Sequence, residues 1–412
     1  MKTTKWLKEN ADSLKGKWIA LTGSTGGLGR QICRHIAGLG GNLLLLDRNQ
    51  KRSTEHAEKL RNDFGIDVLS MQVDMQDMSS VKAICEKLKL KQIDYLILNA
   101  GAYSLPREKS SEGWDNVFQI NFVSPYYIVK ELLPSLEKKD MAKVIVVGSI
   151  AHKYSHIDEA DIDFSSVKAP RKVYGNAKRF LMFSLIELLT GNAKVFLSIA
   201  HPGITPTNIT SHFPKLIRSL VKYPMKIVFT SPEKASLNII KGIFADLPAD
   251  KWVGPKICNI WGKPQIKKLN SCDKIESRKI FEIAEKIYSD IKGKEKMKEH
   301  ELGLRPEFYD LIKKGIKIYE GRLNDDKRKL IEVGDIIIIK KDPEREESFK
   351  VRVVDKLYYE NFRSMAENLP SSQLGFEGKT ASEIEEVYRQ FYSCQQETPN
   401  GVVAIKVELI NN

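Results

Sequence analysis

Thr22-Gly23-Ser24-Thr25-Gly26-Gly27-Leu28-Gly29 closes the apolar run Trp18-Ile19-Ala20-Leu21 and opens an amphipathic helix through Gln31, Ile32 and His35. The pattern is strand, glycine-rich turn, helix. Such a turn exposes backbone N–H groups at a helix N-terminus, where a pyrophosphate binds well. Far downstream, Tyr174-Gly175-Asn176-Ala177-Lys178 puts a phenol and an ammonium one helical turn apart on one face. A cation there makes a tyrosine a usable proton donor near neutral pH. The first segment is suited to hold a dinucleotide; the second offers acid–base chemistry.

The glycines Gly23, Gly27 and Gly29 have the spacing TGxxxGxG rather than GxGxxG. A bare strand–turn–helix also explains such a trio. The next apolar run, Leu43-Leu44-Leu45-Leu46, ends in Asp47, 18 residues beyond Gly29. A carboxylate there can accept both ribose hydroxyls and repel a 2′-phosphate. Arg48 beside it can instead attract one. The balance leans slightly to NAD, with NADP open.

Further apolar runs recur at Asn42–Leu46, Val68–Val73, Tyr95–Leu98, Val144–Val147 and Val195–Ala200, separated by longer stretches with helical spacing. Short continuous apolar runs alternating with helices predict buried parallel strands and right-handed crossovers. The expected fold is a doubly wound α/β sheet with a nucleotide at the carboxyl ends of its strands.

At 412 residues the chain has room for two or three domains. No apolar run reaches about 18 residues, so no membrane span is expected. The polar N-terminus does not read as a signal peptide. Five scattered cysteines (33, 85, 258, 272 and 394) without CxxC spacing suit a cytoplasmic protein with reduced thiols. His152 and His156 are four apart without a third ligand, so no metal is expected. Net charge is +13, all of it in residues 1–290, where 44 basic and 30 acidic residues give +14. Residues 291–412 hold 22 and 23, and lack the bulk charge of a nucleic-acid binder.

Residues 15–265 resemble the short-chain dehydrogenase/reductase family. The motifs are TGSTGGLG, Asp74, Asn99-Ala100-Gly101, Asn121, Ser149, YGNAK and Pro202-Gly203-Ile204-Thr205-Pro206-Thr207, in the family's order. The insertion between Ser149 and Tyr174, 25 residues apart, resembles the retinol-dehydrogenase-like branch. The resemblance implies a Rossmann-type domain that transfers a hydride between NAD(P) and a carbonyl or alcohol. It makes Tyr174 the proton donor or acceptor, and Ser149 its partner on the substrate oxygen. Lys178 would lower the pKa of Tyr174 and bind the nicotinamide ribose, and Asn121 would support a water relay. It gives cofactor contacts to Gly23, Ser24, Gly27, Leu28, Gly29, Asp47, Arg48, Asp74, Asn99, Ala100, Gly101, Pro202, Gly203 and Thr207. Homo-oligomers are common in the family. The segment after Thr207 interleaves Phe213, Leu216, Leu220 and Phe229 with Lys215, Arg218, Lys222 and Lys226. It reads as an amphipathic lid over a lipophilic substrate; membrane contact or an acidic substrate are alternatives.

Residues 293–304, rich in alternating charge, read as a linker between domains 1–292 and 305–412. Beyond it come a short helix from Phe308, strands near Val333–Ile339 and Phe349–Val354, a helix over Ser382–Tyr392, and a closing strand Gly401–Ile410. Gly315-Ile316-Lys317-Ile318-Tyr319-Glu320-Gly321-Arg322 matches GxKxxExR and resembles the ASCH domain, a PUA-like small mixed β-barrel. The resemblance implies nucleotide or RNA binding. Strand alternation separates Lys317 from Glu320 and Arg322 unless a bulge intervenes, so a ligand cleft and a structural pair both stand. Glu320 occupies the position of a catalytic threonine in one hydrolase branch, which speaks against hydrolysis. The leading expectation is an oxidoreductase with an accessory ASCH domain. The rival is an RNA- or nucleotide-binding protein with the dehydrogenase fold as sensor or scaffold.

Overall fold

The computed structural model describes residues 2–204, 230–269, 271–296 and 298–410. Thr207 and the lid segment from Phe213 to Phe229 lie outside the described residues. The chain forms two compact units, Met1–Tyr288 and Ser289–Asn412.

The first unit is built on eight strands: β1 (Trp18–Thr22), β2 (Asn42–Asp47), β3 (Val68–Gln72), β4 (Tyr95–Leu98), β5 (Ala142–Val147), β6 (Val195–Ala200), β7 (Lys251–Ile257) and β8 (Trp261–Lys268). Their spatial order is 3-2-1-4-5-6-7-8, all parallel except the β7–β8 hairpin. The expected doubly wound sheet is therefore present. β4 and β5 are buried throughout, as their continuous apolar sequences require. Strand order reverses between β1 and β4, which opens a crevice at their carboxyl ends. Three helices position the site: α1 (Gly27–Gly38), α2 (Gln50–Phe64) and α3 (Pro170–Leu189). A fourth, α4 (Ser124–Leu136), follows a π-helical turn at Gln119–Val123. A fifth, α5 (Lys274–Lys296), follows β8. Among the described residues, no helix is long and apolar enough to cross a membrane.

The second unit is a mixed five-stranded sheet in the order β10-β13-β12-β11-β9. These are β9 (Glu299–Leu304), β10 (Tyr319–Leu323), β11 (Ile336–Lys341), β12 (Ser348–Tyr359) and β13 (Val402–Leu409). The sheet curls until its two ends approach: Arg322 on β10 donates from Nη2 to the Gly303 carbonyl on β9 at 2.9 Å. Residues 293–304, expected as a linker, carry regular structure. They contain the end of α5 and all of β9, which pairs in parallel with β11. β9 is an edge strand, so its charged residues can face water while Leu302 and Leu304 enter the core. That charge hid the strand from the sequence pattern.

Candidate functional site

β1 delivers the glycine-rich turn to the crevice. Gly23 has φ +72°, and a Cβ there would lie 3.0 Å from Ala100 Cα. At Gly29 a Cβ would lie 2.2 Å from the Gly23 carbonyl oxygen. Only glycine lets α1 start this close to the turn. Asn99 Nδ2 donates to the carbonyls of Thr22 and Gly23 at 3.0 and 2.9 Å. Asn99 thus braces the turn from β4, while Ala100 and Gly101 line the cleft beside it.

The ribose role expected of Asp47 does not fit its surroundings. Asp47 is buried, and its carboxylate already takes four donors. Oδ1 accepts from the Thr25 amide and hydroxyl, both at 2.9 Å. Oδ2 accepts from the Ser53 hydroxyl at 2.9 Å and from the Ser24 hydroxyl. Asp47 is an internal clamp that ties the turn to α2. Ser24 is likewise buried and turned inward, away from the expected cofactor contact. Arg48 and Arg52 remain exposed, and both line this end of the cleft.

The cleft has a volume of about 680 Å³. Gly23, Gly27, Leu28, Gly29, Asp74, Ala100 and Gly101 line one end; Ser149, Tyr174, Lys178, Pro202 and Gly203 line the other. Its shape and its bare glycine cradle fit a nicotinamide dinucleotide. Tyr174 and Lys178 lie on one face of α3, with the ammonium 5.7 Å from the phenol ring centroid. Burial pushes the Tyr174 phenol up to about 12, and a hydrogen bond with the Ser149 hydroxyl opposes the rise. In the net, burial outweighs the lowering expected from Lys178. Lys178 itself is pushed down to about 8 by burial. Its Nζ donates to the Val147 carbonyl at 3.1 Å.

Asn121 sits in the π turn and is buried. Its Nδ2 donates to the carbonyls of Ala102 and Val117 at 2.7 and 2.8 Å, and its Oδ1 accepts from Ala102 N–H at 3.3 Å. The side chain holds the loop after β4.

Sequence reasoning missed the support behind Ser149. The His152 ring reaches back three residues, and its Nδ1 bonds the Ser149 carbonyl at 2.5 Å. A carbonyl only accepts, so Nδ1 carries the proton and Nε2 accepts from the Ser271 hydroxyl. Burial lowers His152 to about 4, so it stays neutral. Trp252 packs between His152 and His201, stacked on His201 with centroids 5.4 Å apart. Arg179 donates to the His152 carbonyl at 3.2 Å and pairs with Glu276 of α5 through Nε at 2.7 Å. The spacing of Ser149 and His152 was the legible signal. The insertion before Tyr174 is pinned by Asp163, which accepts from Asp115 N–H at 2.7 Å, and by Arg107, which donates to the Phe164 carbonyl at 2.8 Å.

A second cleft, of about 170 Å³, lies in the other unit. Lys317, Glu320 and Arg322 meet there without a bulge. β10 begins at Tyr319, so Lys317 precedes the strand and escapes its alternation. Glu320 Oε2 lies 3.2 Å from Lys317 Nζ, and its Oε1 accepts from Arg322 Nε at 2.8 Å. Lys317 also donates to the Tyr319 and Leu374 carbonyls at 2.8 and 2.7 Å. Burial would raise Glu320, but the two cations hold it below the usual carboxylate range. Burial lowers Lys317 against the pull of Glu320. Phe308, Phe376, Tyr388 and Tyr392 contribute aromatic walls.

The family model for short chain dehydrogenases matches residues 17–161, and the model for the ASCH domain matches residues 302–411. The chain joins a short-chain dehydrogenase domain to an ASCH domain. Mouse (Mus musculus) retinol dehydrogenase 14 is 27% identical over 237 residues, 53% of this chain and 71% of that protein. Human (Homo sapiens) polyprenol dehydrogenase is 24% identical over 231 residues, 53% of this chain and 70% of that protein. A crystallised protein from Mycobacterium paratuberculosis shares the fold, with a TM-score of 0.54 at 22% identity over 68% of this chain and 96% of its own. The dehydrogenase domain is an NAD(P)-dependent oxidoreductase of the short-chain type.

Proposed function

We propose that the dehydrogenase domain interconverts a carbonyl compound and its alcohol at the Ser149–Tyr174–Lys178 end of the cleft. The observation that carries this reading is their convergence opposite a glycine cradle that admits no side chain. The bound dinucleotide supplies or removes a hydride. Tyr174 donates a proton to the substrate oxygen during reduction and takes it back during oxidation. The Ser149 hydroxyl stabilises the same oxygen as charge develops, held in place by the His152 clamp. Lys178 holds positive charge beneath the phenol and favours its ionised form. Asn121 fixes the loop that bounds the site. The retinol and polyprenol dehydrogenases among the relatives, and the aromatic Tyr103 and Tyr154 in the cleft, support an apolar substrate.

The finer cofactor preference is NADP(H), against the slight sequence-based lean to NAD. Asp47 is spent on the turn, while Arg48 and Arg52 are free to meet a 2′-phosphate. NADPH should bind at least several times more tightly than NADH, as followed by fluorescence of the bound dinucleotide. Arg48→Ala should remove about 1–2 kcal/mol of that preference, the scale of one partly exposed charge-assisted contact. Equal affinity for the two dinucleotides in the wild type would refute the reading.

For the ASCH domain we infer a separate binding role, because a buried cation–carboxylate–cation row inside aromatic walls exceeds what a strand needs for stability. The occupant proposed is a nucleotide or the base of a single-stranded RNA. Titration of the full chain with mixed nucleosides and short RNAs, followed by NMR, should shift Lys317 and its neighbours. Lys317→Ala should weaken binding by about tenfold. No shift for any of these ligands would leave the domain without a nucleotide role.

A further inference from the structure

Arg171 lines the dehydrogenase cleft, yet the chemistry proposed above does not use it. It sits in the first turn of α3, three residues before Tyr174 and seven before Lys178. The three therefore share a helix face, with the Cβ of Arg171 about 5–6 Å from that of Tyr174. Its guanidinium is exposed and has no hydrogen-bond or ion-pair partner among the described residues. The carboxylates that line the cleft are Asp47 and Asp74, at the ends of β2 and β3. Both lie across the switch point from Tyr174. The reactive end thus presents Arg171 and Lys178 with no described carboxylate among its lining, and Lys178 is buried beneath the phenol. Tyr103, Leu105 and Tyr154 complete the surroundings with apolar and aromatic surface.

We propose that Arg171 receives an acidic group of the substrate. The substrate is then an apolar or aromatic carbonyl compound, or its alcohol, with a carboxylate or phosphate about one helical turn from the reacting carbon. A planar guanidinium matches either oxyanion through two parallel N–H donors. The N-terminus of α3 adds partial positive charge of the same sign. With the acid held at Arg171 and the carbonyl oxygen at Tyr174, the substrate is fixed at two points along α3. One of them is remote from the chemistry and supplies orientation. This inference rests on the dehydrogenase reading and narrows its substrate class.

The test uses three aldehydes with the wild type and NADPH: 4-formylbenzoate, 4-formylphenyl phosphate and neutral 4-methylbenzaldehyde. At least one acidic aldehyde should exceed the neutral one in kcat/KM by about tenfold or more, the scale of one charge-assisted contact. Which acid is preferred separates a carboxylate substrate from a phosphate ester. Arg171→Met should bring the acid-to-neutral ratio close to one, and Arg171→Lys should restore part of it. Unreactive 4-methylbenzoate should perturb the fluorescence of bound NADPH at about tenfold lower concentration in the wild type than in Arg171→Met. A wild-type ratio near one, or a ratio that survives Arg171→Met, overturns the proposal. A wild type that binds NADPH but consumes none of the three aldehydes also overturns it. A wild type that binds neither dinucleotide brings down the dehydrogenase reading itself.

Discussion

Replacing Tyr174 by phenylalanine is expected to lower turnover by several hundredfold or more, the upper range for loss of a general acid–base group. NADPH affinity should stay nearly unchanged. The ring packs edge-on against Tyr103 with centroids 5.4 Å apart, and phenylalanine keeps that contact. Only the hydroxyl and its bond to Ser149 are lost. Burial holds the phenol near 12, so it is protonated at neutral pH and ready to donate during reduction. In the oxidation direction the same burial is a barrier, since the phenolate must form. The wild type should therefore gain oxidation rate as pH rises, and Tyr174→Phe should show a flat profile. Steady-state rates in both directions on any substrate the wild type accepts provide the check. Turnover retained in the variant would remove Tyr174 from the mechanism.

The turn at Gly23–Gly29 and the apolar strand runs were legible because each follows a local rule. A parallel strand buried on both faces has to be continuously apolar, and a helix start beside a turn excludes a Cβ. Tyr174 and Lys178 were legible for a similar reason, since i,i+4 spacing fixes a shared face. Asp47 was misread because its role depends on Ser24, Thr25 and Ser53. The sequence places these near a strand end without showing which way their hydroxyls point. β9 escaped because an edge strand tolerates charge on its open side. Whether Lys317 joins Glu320 and Arg322 stayed open because the pattern does not mark where β10 begins. Period-two alternation governs only residues inside a strand, so Lys317, two residues before β10, is not bound by it. The support behind Ser149 joins residues 100 or more positions apart, from His152 to Trp252 and Ser271, and no local period encodes such a contact.

Lys178→Met should uncouple stability from activity, with turnover down by about a hundredfold or more and the empty protein more stable. Burial lowers the Lys178 ammonium from 10.5 to about 8. A lysine depressed in the folded state costs stability wherever it must be charged. The cost is complete below about pH 8, shrinks as pH rises, and is gone above the unfolded value near 10.5. At pH 7 it amounts to roughly 3 kcal/mol. Methionine fills a similar volume without the charge. It also strips the Val147 carbonyl of its donor, which returns about 1–2 kcal/mol of the gain. A net increase of roughly 1–2 kcal/mol should appear in urea unfolding at pH 7, with a Tm higher by a few degrees. The increase should fade toward pH 10, where the wild-type lysine is largely neutral in the fold. A variant less stable than the wild type at pH 7 would mean that the ammonium is net stabilising even without cofactor. The wild-type deficit, by contrast, is one that the negative charge of a bound dinucleotide can offset. Strain of this kind at a functional lysine is retained because its removal improves only the protein that does no chemistry.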